Sequence, residues 1–68
     1  MEDLIMRFET YRDAAGEWRW RLRHQNGHVM AESGEGYRRK EDCENGIAVV
    51  KQSSSAPIVD MTLKVAGA

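Results

Sequence analysis

Sixty-eight residues with ten Lys plus Arg, eleven Asp plus Glu and a formal net charge of -1 leave room for one small domain. That balance excludes a polycation built for nucleic acid or anionic membrane, and 41% hydrophobic with 31% charged residues reads as a folded globular chain. A single cysteine, Cys43, permits no internal disulfide, no apolar run is long enough to span a bilayer, and Met1-Glu2-Asp3 does not begin a secretory leader. A cytoplasmic location is therefore expected, with no cofactor and no membrane partner.

In chain order, Leu4, Met6 and Phe8 alternate with charged residues, which predicts a strand over about 4–12. Asp13-Ala14-Ala15-Gly16 supplies a turn. Trp18, Trp20 and Leu22 then alternate with Arg19, Arg21 and Arg23, so a second strand over about 18–25 turns apolar groups one way and guanidinium groups the other. Asn26-Gly27 signals a two-residue type I′ hairpin. That loop sets Gln25 against His28, His24 against Val29, Leu22 against Ala31 and Arg21 against Glu32, and predicts a third strand over about 28–33.

Gly34-Glu35-Gly36 ends the sheet run. Cys43, Gly46, Ile47 and Val50 fall on one stripe of a helix over about 39–52, whose glycine suits a backbone lying close to the sheet. After Ser53-Ser54-Ser55 and Pro57, Val59, Met61, Leu63 and Val65 alternate with Asp60, Thr62 and Lys64, which predicts a last strand over about 58–65. Residues 66–68 are expected to fray. The fold class is α+β: three antiparallel strands, a helix and a C-terminal strand.

Gly16-Glu17-Trp18-Arg19-Trp20-Arg21-Leu22, Asn26-Gly27, Ser33-Gly34-Glu35-Gly36-Tyr37, Lys40, Asn45-Gly46-Ile47 and Val50 together resemble the YegP-like family of small domains of unknown function. The resemblance implies a unit that occurs in pairs, as tandem repeats or as two chains, with a shared sheet and exchanged C-terminal strands. It implies no biochemical activity. Arg38-Arg39 occupies a stretch where relatives often carry a small hydroxyl residue suited to an N-cap, so a weakly capped helix start is expected, and Trp18 stands where tyrosine is more usual.

With one copy of the unit, the expected partner is a second copy of the chain. Ile58, Val59, Met61, Leu63 and Val65 would form the dimer interface, because an alternating strand at the chain end leaves an edge and an apolar face unpaired. An alternative is an anion or nucleic-acid binding module using Arg19, Arg21, Arg23, Arg38 and Arg39, since residues 18–40 carry six basic and two acidic side chains. Against it, the tryptophans point away from the strand arginines, which have Glu32 and Glu9 as acid neighbours.

Other chemistry is weaker. His24 and His28 flank the predicted turn on opposite faces and are too few for a closed metal site. Cys43 lies on the apolar helix stripe, where a thiol behaves as a small hydrophobe. Trp18, Trp20, Phe8 and Leu22 are expected in the core rather than around a ligand. An enzyme would need a site built across a dimer, around Glu35, Tyr37 and His24. The preferred reading is a non-catalytic homodimeric domain.

Overall fold

A computed structural model describes residues 6–62 of the chain. Three antiparallel strands, β1 (Met6–Arg12), β2 (Trp18–His24) and β3 (Val29–Glu32), lie in the order β1-β2-β3. A helix, α1 (Lys40–Lys51), covers one face and runs into a 3-10 turn, Gln52–Ser55. The alternation dictates which face is covered. Trp20, Cys43 and Ile47 are buried where β2 meets α1, with Phe8, Trp18, Ala31, Tyr37 and Val50 packed around them. The Phe8 and Trp20 rings meet edge to face at 5.7 Å.

The β1–β2 connection is organised by Asp13. Its Oδ1 accepts the backbone N–H groups of Ala15 (2.9 Å) and Glu17 (3.0 Å), while Oδ2 accepts Arg19 Nε at 2.6 Å. Gly16 supplies the positive φ of 81° that the turn requires.

The second hairpin corrects the expected turn. Only Gly27 has positive φ, at 95°. Asn26 stays out of the left-handed region and uses its Oδ1 to accept the His28 N–H at 2.9 Å. The loop is therefore three residues, Gln25–Gly27, closed by His24 N donating to His28 O at 2.8 Å and Gly27 N to His24 O at 2.8 Å. This is the other common hairpin solution, with a single left-handed glycine.

A longer loop shifts the pairing by one residue, and Arg23 accordingly faces Val29. The expected pairs Leu22 with Ala31 and Arg21 with Glu32 are nevertheless present, because the register shifts between Leu22 and Arg23. Met30 is the extra residue, bulged out and 58% exposed. Without that bulge Ala31 would turn to the polar face, so apolar burial enforces it.

Beyond β3 the chain returns to β2, where Trp18 and Tyr37 exchange backbone hydrogen bonds of 2.6 and 2.8 Å. Gly36 lies against the Glu17 side chain with no room for a Cβ. The expected weak helix start is present. Arg39 is the N-cap and makes no side-chain capping bond, while Glu41 and Asp42 occupy the first turn.

Residues 58–62 form no strand in the single chain. A strand needs a neighbour's ladder, and here it has none. Leu63 and Val65, the rest of the expected interface, lie outside the described residues.

Candidate functional site: an open groove beside an apolar tail

Two surfaces compete as the site: the arginine face of β2 and the apolar face near the end of α1.

On the arginine face, β1 is paired to β2 so that Glu9 lies opposite Arg21. Glu9 accepts Arg21 Nε at 2.7 Å, Arg23 Nε at 3.0 Å and Arg7 Nε at 2.8 Å. Three guanidinium groups around one carboxylate hold its pKa at about 2, far below the usual range, with Arg21 the largest cause, then Arg23 and Arg7. Arg21 also lies over the Tyr11 ring at 4.7 Å. Arg19 is taken by Asp13, which lowers the Asp13 pKa and raises that of Arg19. Of the other sequence candidates, Arg39 pairs with Glu41. Arg38 makes no ion pair among the described residues. The acid that organises this face is Glu9 rather than Glu32. The sequence named both acids, and the β1–β2 register selects Glu9, the central odd-numbered residue of β1.

The chemistry-bearing residues are likewise occupied. Cys43 is completely buried, and desolvation, helped by the charge of Glu44, pushes its thiol pKa up. Tyr37 packs its hydroxyl against Gly46. His24 and His28 close the hairpin as cross-strand partners instead of lying on opposite faces, and His24 Nδ1 accepts the Asn26 N–H at 3.2 Å. No cluster of three or more His, Cys, Asp or Glu groups able to hold a metal ion occurs among the described residues. Nor does any described helix have the length and apolarity to cross a membrane.

The apolar face is different. Between the start of β1 and the end of α1 lies an open groove of about 740 Å³, lined by Met6, Phe8, Leu22 and Val50 together with Arg7, Lys51, Ser53 and Ser54. It adjoins β1, an edge strand of seven regular residues. Beyond Ser54, Ile58 is 99% exposed, Val59 68% and Met61 85%. An open groove and, a few residues further along the chain, an exposed apolar segment thus occur in the same molecule. Sequence alternation identified the segment; the groove depends on where the helix ends over the sheet.

Comparison with known proteins gives the family but no activity. A family model described as a domain of unknown function, DUF1508, matches residues 13–60. A UPF0339 protein of Neisseria meningitidis serogroup B is 43% identical over 51 residues, covering 75% of this chain and 89% of the relative. A UPF0339 protein of Stutzerimonas stutzeri, named for its place 5′ of the ptx operon, is 47% identical over 47 residues. Those residues cover 69% of this chain but only 41% of that protein. The solution structure of a protein from Haloferax volcanii superposes with a TM-score of 0.75 at 44% identity, covering 81% of this chain and 92% of the other. The chain belongs to the DUF1508 family, in keeping with its YegP-like sequence features.

Proposed function

We propose that this DUF1508 domain is a non-catalytic pairing module that works as a homodimer, each copy laying its C-terminal segment into the groove of the other. The observation that carries the reading is the open groove at Met6, Phe8, Leu22 and Val50 beside the exposed Ile58, Val59 and Met61. A domain of this length has a small core, and burying those side chains on a second copy enlarges it. The receiving edge is β1, which pairs only with β2 among the described strands and suits strand addition. In the proposed pair the interface is Ile58, Val59, Met61, Leu63 and Val65.

A non-catalytic role is favoured because the groups that could react already serve the fold, Cys43 in the core, His24 in the turn and Tyr37 against the helix. The lone buried thiol suits a reducing cytoplasm. Anion binding through Arg19, Arg21, Arg23, Arg38 and Arg39 is the weaker reading, because four of those five are already paired to Glu9, Asp13 and Glu41. A low-salt titration with a short oligonucleotide checks it, and a flat curve removes it.

The main test is sedimentation at tens of micromolar of the full chain and of a chain ending at Pro57. The full chain is expected to be a dimer and the shortened one a monomer of lower stability. A full-length monomer overturns the proposal, and so does a dimer that survives the truncation.

A further inference from the structure

A tail attached beside a groove should fill it. Ser53 and Ser54 line the groove, so the apolar segment begins only a few residues from its rim. A short tether presents its cargo at an effective concentration of about millimolar, well above a partner chain at micromolar concentration. Left to choose freely, the tail would close on its own chain. Something in the connection must prevent that.

The connection is held by local bonds and leaves the apolar segment exposed. Ser53 Oγ donates to Val50 O at 2.6 Å, tying the first hydroxyl back to the helix. Ala56 N donates to Ser53 O at 2.9 Å and closes the 3-10 turn. Ala56 then leaves the turn extended, at φ -64° and ψ 134°. That conformation is the one a following proline imposes, since the proline ring clashes with a helical residue before it. Pro57 fixes its own φ as well. No glycine occurs between Gln52 and Thr62 to let the backbone reverse sharply.

We infer that Ser53–Pro57 is a strut that denies the tail its own groove, so that the occupant of the groove is residues 58–62 of a second copy. This rests on the pairing reading above and adds the reason that pairing takes two chains. Two variants test it: A56G/P57G, and an insertion of four Gly-Ser residues after Ser55. Circular dichroism verifies that each is folded, and two independent routes to a loose connection guard against the failure of one.

Sedimentation gives the dimer dissociation constant, and amide exchange reports the backbone of 58–62. In the loosened chains the constant is expected to rise by roughly tenfold or more, with 58–62 still protected in the monomer, as the tail closes at home. A wild-type dimer that depends on residues 58–62, with loosened variants dimerising at an unchanged constant, overturns the strut and leaves the pairing intact. A wild-type chain that is monomeric at tens of micromolar overturns both.

Discussion

Tyr37 and Gly46 meet so closely that a Cβ on Gly46 would lie 2.7 Å from Tyr37 Oη. The contact locks the segment after β3 to the middle of α1. Tyr37 is itself held by two backbone bonds to Trp18, so the phenol has little freedom to retreat. Gly46→Ala gains about 1 kcal/mol of helix propensity but meets an overpacking cost of about 1–3 kcal/mol. A net loss of about 1 kcal/mol is expected in urea denaturation. In a Tyr37→Phe background the obstructing oxygen is gone, and the same substitution should cost less than half as much. Equal costs in the two backgrounds would show that the hydroxyl is not the obstacle.

A second prediction concerns acid. The arginines around Glu9 hold its pKa at about 2, against an ordinary value of 4.5. A carboxylate whose pKa is lower folded than unfolded contributes stability that is complete above the unfolded value and fades as pH falls toward the folded one. Wild type and Glu9→Gln should therefore differ most above pH 4.5 and converge as pH approaches 2. Urea midpoints across that range measure the difference. A gap between the two proteins that does not change with pH would mean the charge of Glu9 contributes nothing.

The hairpin supplies a third. Gly27 alone takes the left-handed conformation, so Gly27→Ala should cost about 1–2 kcal/mol. Asn26→Ala should lose only its bond to the His28 N–H, about 1 kcal/mol or less. A type I′ turn would instead make both positions demanding. Thermal unfolding of the two variants separates the alternatives.

Cys43 provides the fourth. Its burial and raised pKa leave almost no thiolate in contact with solvent. Modification by a disulfide reagent at pH 8 should be at least about a hundredfold slower in the native chain than in urea. Cys43→Ser buries a hydroxyl among apolar groups and should destabilise by about 1–3 kcal/mol.

Much of the fold was readable because single side chains declare faces. Trp20 against Arg21, and Cys43 with Ile47 one turn later, assign inside and outside without any partner being known. The hairpin was less legible. Asn26-Gly27 suits two turn types, and the choice depended on where Asn26 places its amide oxygen and on a bulge at Met30 several residues away. For the candidate site, alternation marked Ile58, Val59 and Met61 as apolar. It could not show that Met6, Phe8, Leu22 and Val50 form a hollow, because that hollow belongs to three elements distant in sequence.

The two sides of the sheet are unequal. β1 presents seven regular residues, whereas β3 is only four residues long and kinked where Met30 bulges. A short, bent margin discourages lateral growth. An added strand would find a longer and straighter ladder along β1 than along β3. In the proposed pair, strand addition along β1 alone would close on two copies instead of extending into fibres.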